Sequence, residues 1–311
     1  MELSNTRGQS TAPSNSLSQV MRRHPLFFYF LMAFGFTWLY EVPIFGLLHL
    51  PHFPWIIPAP FLGPTVSAFI MTALTERKPG VLRLLRRYVL WRVGIPWYLF
   101  ALLGIPALVL LGTVVLPGAV AAFRAPALSF VIVYLVNYVV LFFFDGPLGE
   151  EPGWRGFALP RLQQGSGPLV GTLMLGVLWG LWHLPLFLFI QGYNGAGTGF
   201  AGILIPFVAF IVGTTTALAV IITWVFNNAR GSLLLVMLIH ASFNTTYGVV
   251  LPKLFPSLPA TPLANLNIAL IGIALLVIVA TRGRLSYQRY QRETALPAPG
   301  TDRLVALRDQ Q

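Results

Sequence analysis

The chain has 311 residues, 56% of them hydrophobic and only 9% charged, with a mean hydropathy of +0.74. A soluble domain carries roughly 25% charged residues, so a water-soluble fold is excluded and the solvent of this chain is lipid. Twenty Lys and Arg against nine Asp and Glu give a formal charge of +11; in such a chain this points to basic loops at one membrane face rather than to nucleic acid, and the absence of cysteine excludes disulfides, thiol nucleophiles and Cys-ligated metals.

Residues 1–20 are polar and read as a disordered tail, with neither the charge order nor the cleavage site of a signal peptide. Eight apolar tracts follow, near 26–48, 55–75, 95–116, 127–148, 168–190, 200–226, 232–251 and 265–281, each close to the roughly 20 residues that a crossing needs. The expected fold is therefore all-α: a polytopic membrane helix bundle of about eight transmembrane helices over residues 21–284. The basic residues alternate with it. Arg7, Arg22 and Arg23 precede the first tract, Arg77 to Arg92 separate the second and third, Arg155 and Arg161 follow the fourth, Arg230 the sixth, and Arg282 to Arg292 the eighth. The intervening loops hold only Arg124 and Lys253, which places both termini in the cytoplasm. Residues 81–94 mix Arg with Leu, Val and Trp at helical spacing and read as an amphipathic helix along that surface. From 285 to 311 the chain is polar and reads as a second tail.

Ionisable groups inside lipid are costly and face cavities or partners, so their placement is informative. Asp145, Glu150 and Glu151 fall within one stretch, FFFDGPLGEEPGWRG. Pro152 disfavours helix at Glu151 and suits the first turn of a new one. The fourth span should break at the glutamates, with a short helix resuming over about 153–164. Glu151 and Arg155 are four apart and can pair, leaving Glu150 free. Trp179 and His183 share a face of the fifth span, where Pro185 should kink the helix. His240 and Asn244 share a face of the seventh. Each group alone also fits a structural role: acids at an interface, a histidine bonded to backbone. Asn227 and Asn228 read as cap or loop residues, His52 as a loop residue, and Glu41 as an intramembrane acid without an assigned role.

Together, Glu150-Glu151-x-x-x-Arg155, Trp179-x-x-x-His183 and His240-x-x-x-Asn244 resemble, in order, the three motifs of the CAAX protease and bacteriocin-processing (CPBP) family of intramembrane endopeptidases. The likeness covers about residues 130–250, and Trp179 stands where phenylalanine is the family's usual aromatic. It implies hydrolysis of a peptide bond near the cytoplasmic membrane face, in a bacterial plasma membrane, with a peptide or a membrane-anchored protein as substrate. In that reading Glu150 is the general base, His183 orients the water, His240 and Asn244 donate to the oxyanion, and Glu151, Arg155 and Trp179 are structural or orient substrate. No cofactor is favoured. The alternative is a divalent metal, zinc, held by Glu150, His183 and His240, although no HExxH pair is present. A transporter with a buried acid–histidine pathway, or an idle scaffold or immunity protein on the same fold, are the competing classes. One geometric condition applies: His183 lies about 15 residues into its span and His240 about 8, a depth offset of roughly 10 Å. The site closes only if the fifth span protrudes at its start or tilts.

Overall fold

The computed structural model describes residues 17–258 and 262–294, without side chains for 262–267. Among the described residues the secondary structure is entirely helical, as lipid requires of a chain that must satisfy its own backbone N–H and C=O groups. Seven helices are long and apolar enough to cross a membrane: Pro25–Leu47, His52–Tyr88, Ile95–Val114, Phe130–Ser166, Pro168–Phe189, Gly199–Asn228 and Leu233–Leu254. An eighth helix, Pro262–Ala280, is apolar over Ile268–Ala280. Each coincides with one of the eight expected tracts, and the molecule is a polytopic helical bundle. More than half of the fifth, sixth and seventh spans is buried, and far less of the first, third and fourth. The first three of these form the centre and the others turn exposed Leu, Val, Ile and Phe outward, such as Leu39, Leu103 and Ile132.

Close crossing at the centre depends on small residues. An added Cβ on Gly176 would stand 2.5 Å from the Thr216 Cα, and one on Gly180 would stand 2.6 Å from the Thr215 hydroxyl. The Thr215 hydroxyl donates to the Gly176 carbonyl at 2.9 Å, so a hydrogen bond joins the helices where their backbones touch.

Four local expectations are corrected. The fourth span breaks at Asp145–Gly146, not at the glutamates: helix Phe130–Phe144 ends, Gly146 takes φ +97°, and Pro147 starts the next helix. Glu150 and Glu151 are helical, and the backbone continues through one wide turn, Pro152–Ala158, into Leu159–Ser166. Pro152, which has no N–H to donate, is accommodated by widening the turn rather than by ending the helix. Next, the helix through Arg86 and Arg87 stops at Tyr88, with a kink at Arg77, so the surface segment is helical only over its first part. Third, the polar stretches expected at 1–20 and 285–311 lie partly outside the described residues, but helices Leu17–Arg23 and Tyr287–Thr294 fall within them. Tyr290 is buried, accepts a hydrogen bond from Arg87 at 2.8 Å and packs on Phe226. Last, Asn227 is a buried tie rather than a loop residue. Its Nδ2 donates to Gln163 and to the Leu285 carbonyl, both at 2.8 Å, and Asn228 accepts from Arg289.

Candidate active site

Glu150 and Glu151 are adjacent on a helix, so their side chains point about 100° apart. The surroundings then differ completely. Glu151 turns into the protein, fully buried, where its Oε1 accepts from Arg155 Nη1 at 2.9 Å and from His240 Nδ1 at 2.8 Å. The Arg155 guanidinium, also fully buried, lies 4.4 Å above the Trp179 ring. Glu150 turns the other way. Its Oε2 accepts two indole N–H groups, from Trp179 at 2.6 Å and from Trp154 at 3.1 Å. Its Oε1 lies toward Gly146, where an added Cβ would come within 2.5 Å.

His183 sits where the fifth span is interrupted. Helix Pro168–Trp182 ends, His183 takes ψ 0°, and Leu184–Phe189 resumes. Pro185 lacks the N–H that would bond Leu181, and Leu186 N bonds the His183 carbonyl instead. The Trp182 carbonyl freed by this break accepts from the Trp38 indole of the first span at 2.9 Å. His183 Nδ1 lies 2.9 Å from the Trp179 carbonyl. A carbonyl only accepts, so Nδ1 carries the proton and Nε2 presents a lone pair. The same reasoning for His240, whose Nδ1 faces a carboxylate, leaves its Nε2 as the group available for contact. Both rings are wedged by aromatic edges, His183 by Trp182 and Phe210 and His240 by Trp179.

Asn244 Nδ2 donates to the Asp145 carbonyl at 2.9 Å and lies 3.4 Å from Asp145 Oδ2. It thereby ties the seventh span to the break in the fourth. Glu150, Trp179, His183, His240 and Asn244 all line one cavity of about 220 Å³, whereas Glu151 and Arg155 lie behind it. A single water needs about 10–15 Å³ of such free space, so the cavity admits a reacting water together with part of a substrate. At the start of the fifth span Gly171 packs on the backbone of Leu162 and Gln163, and Gln163 pairs with Asn227 at the end of the sixth span.

A family model described as type II CAAX prenyl endopeptidase Rce1-like matches residues 127–246. CAAX prenyl protease 2 of Methanococcus maripaludis is 28% identical over 103 residues, which cover 30% of this chain and 34% of that protein. Residues 127–246 are thus similar to the CAAX protease (CPBP) family. The match spans about a third of the curated relative's length.

Several residues of this site were not singled out by the motifs. Trp154, the second donor to Glu150, lies four residues after it, a helical spacing visible in the sequence. Gly146 was legible as a turn residue but not as the neighbour of a carboxylate. His52, assigned to a loop, lines the cavity, as do Tyr193 and Asn194 from the loop after the fifth span. None of the loops carrying the basic residues contributes to the lining. On that side Tyr29, Met71, Trp154, Phe157, Phe226 and Leu233 pack fully or almost fully buried. Among the described residues no three His, Asp or Glu side chains stand together closely enough to hold a metal ion, and Glu150 Oε2 is already taken by two indoles. The arrangement does not fit a metal.

Proposed function

We propose that the chain is an intramembrane endopeptidase in which Glu150 activates a water molecule for attack on a peptide carbonyl. The observation that carries this reading is the state of Glu150. Neutral donors hold one of its oxygens, while the other lies toward the cavity that it shares with His183 and His240. A carboxylate held in this way is oriented yet still able to take a proton.

Water, positioned by a hydrogen bond to His183 Nε2, gives a proton to Glu150 as its oxygen bonds to the carbonyl carbon. The resulting oxyanion is met by His240 Nε2–H. Its imidazolium form is supported through Nδ1–H by the Glu151 carboxylate, and Arg155 keeps that carboxylate in place. Asn244 holds the Asp145–Gly146 break against the seventh span through its amide nitrogen, which faces both the Asp145 carbonyl and its carboxylate, and it can serve the oxyanion only by giving up the longer of these contacts. The proton on Glu150 then passes to the leaving amine as the C–N bond breaks, which regenerates the carboxylate. Both termini are placed in the cytoplasm on the alternation of basic loops.

The test compares protein termini in membrane and secreted fractions of cells carrying the wild-type chain or Glu150→Gln. The isosteric amide still accepts from both indoles through its carbonyl oxygen, so the fold is expected to persist while processed termini disappear. Undiminished processing in Glu150→Gln would remove Glu150 as the base.

A further inference from the structure

A second cleft, of about 520 Å³, shares no lining residue with the cavity at Glu150. One wall is the start of the first span, Pro25–Leu47, with the two residues before it; the other is the helix Leu159–Ser166. Arg23, His24 and Phe27 come from the first wall, and Arg161, Gln164 and Gly165 from the second. No Asp or Glu lines it.

The positive charge in this cleft is not cancelled. Among the described residues the side chains of Arg23 and His24 have no partner. Arg161 is held in place: Nη1 donates to the Phe157 carbonyl at 2.9 Å, Nη2 pairs with Glu76, and the guanidinium lies 3.7 Å above the Phe157 ring. Glu76 also takes Arg83, at 2.6 Å. One carboxylate between two guanidiniums leaves a net positive charge, and Glu76 stands outside the cleft lining. The backbone adds donors. Pro25 opens the first span, and the amides of Leu26 and Phe27 in that first turn bond no carbonyl behind them. Two guanidiniums, an imidazole, the Gln164 amide and two backbone N–H groups therefore face one space, which suits a polyoxygen anion such as a phosphate.

The place of the cleft selects among phosphates. It lies where the first span begins, at the level of the lipid headgroups. Phe27, in the cleft wall, is exposed, and Leu31, four residues on, shares its helix face and is exposed as well. A soluble phosphate would meet the cations and leave this apolar strip unused. A phospholipid uses both, with its phosphate between Arg23 and Arg161 and an acyl chain along Phe27 and Leu31. We propose that this cleft is a binding site for an anionic phospholipid such as phosphatidylglycerol. A zwitterionic lipid fits less well, because its ammonium group would stand among the cations of the basic face. A lipid seated here bridges the first span to the helix that continues from the paired glutamates. Its binding is independent of the proposed peptidase activity.

The full chain, purified in a neutral maltoside detergent, is titrated with phosphatidylglycerol or with phosphatidylcholine of the same acyl chains. Bound lipid is counted by native mass spectrometry, and the unfolding temperature is followed in parallel. Phosphatidylglycerol is expected to bind saturably and to raise the unfolding temperature, and phosphatidylcholine to do much less. Arg23→Gln removes a cation that holds no other described group and should weaken phosphatidylglycerol binding at least about tenfold, the effect of one hydrogen bond to a charged group. Gly165 has nothing within 4 Å of an added Cβ. Gly165→Glu therefore places a carboxylate in the cleft and should also weaken binding, whereas Gly165→Gln, of the same size, should weaken it far less. Arg86 is exposed and outside the cleft, so Arg86→Gln lowers the net charge equally and should leave binding unchanged. An equal loss in Arg86→Gln and Arg23→Gln would mean a diffuse attraction to the basic face and would overturn the site, as would the absence of saturable binding. Glycerol phosphate at the same concentration is the remaining arm: stabilisation equal to that by phosphatidylglycerol would overturn the lipid assignment in favour of a soluble phosphate.

Discussion

Gly146→Ala perturbs the base without touching it. Gly146 has φ +97° and ψ −55°, a conformation that side-chain-bearing L residues rarely adopt. Holding alanine there costs about 1–3 kcal/mol. The new methyl would also stand 2.5 Å from Glu150 Oε1, and ordinary contact begins at 3.4 Å. Either the carboxylate retreats by about 0.9 Å or the Asp145–Gly146 break shifts by that amount, and a 1 Å misplacement of a reacting group costs on the order of 100-fold in rate. The loss should fall on kcat more than on KM, because the apolar wall at Phe144, Phe210 and Phe243 is unaltered. Turnover is measured in proteoliposomes with a quenched-fluorescent peptide library, and stability by thermal unfolding. Gly35→Ala is the control, a helical glycine with nothing within 4 Å of an added Cβ, and alanine there should be neutral or slightly stabilising. A Gly146→Ala protein that cleaves at close to the wild-type rate would refute the claim that this glycine sets the position of the base.

Trp179→Phe removes the 2.6 Å hydrogen bond to Glu150 and keeps most of the ring. A hydrogen bond to a charged group contributes about 1.5–3 kcal/mol, so kcat should fall about 10- to 100-fold; a wild-type rate would show that Trp154 alone orients the base. Arg155→Leu leaves Glu151 with His240 as its remaining partner in a fully buried setting and should cost about 3–5 kcal/mol, read as a lowered unfolding temperature. Adding Glu151→Gln to Arg155→Leu should recover much of that loss, because the stranded charge goes too; no recovery would mean that the stack on Trp179, not the ion pair, is what matters. Treatment with a strong chelator should leave turnover unchanged, and activity lost to the chelator but restored by zinc would contradict the metal-free mechanism.

Helix placement was legible because lipid imposes a single rule. Every backbone group must be satisfied internally, so apolar length alone locates the spans. The motif spacings were legible for a related reason. Residues four apart on a helix share a face whatever surrounds them, and Glu151 with Arg155, or Trp179 with His183, needed no tertiary information. The break in the fourth span was misplaced because two signals competed. Pro152 is a strong helix breaker by local rules, yet a π-type turn absorbed it, while Gly146 and Pro147 together made the actual interruption. The burial of Tyr290 and Asn227 could not be read from composition, since their partners, Arg87 and Gln163, lie far away in the chain. His52 shows the same limit: a loop histidine in sequence, it becomes cavity wall only through the fold.

The paired glutamates show most clearly how surroundings divide identical side chains. Glu151 accepts from an arginine and a histidine and does not line the cavity, so its carboxylate is spent on orienting the His240 ring. Glu150 accepts only from neutral indoles, and only on one oxygen. Indole N–H groups fix the carboxylate without neutralising it, whereas a guanidinium in the same place would bind the charge and blunt the base. The order of the two residues therefore matters as much as their presence. Rotating the helix by one residue would give the arginine to the cavity-side carboxylate and leave the free one facing the packed layer, where no substrate reaches. The break at Gly146 fixes that rotation from one end, and Arg155, stacked on Trp179, fixes it from the other.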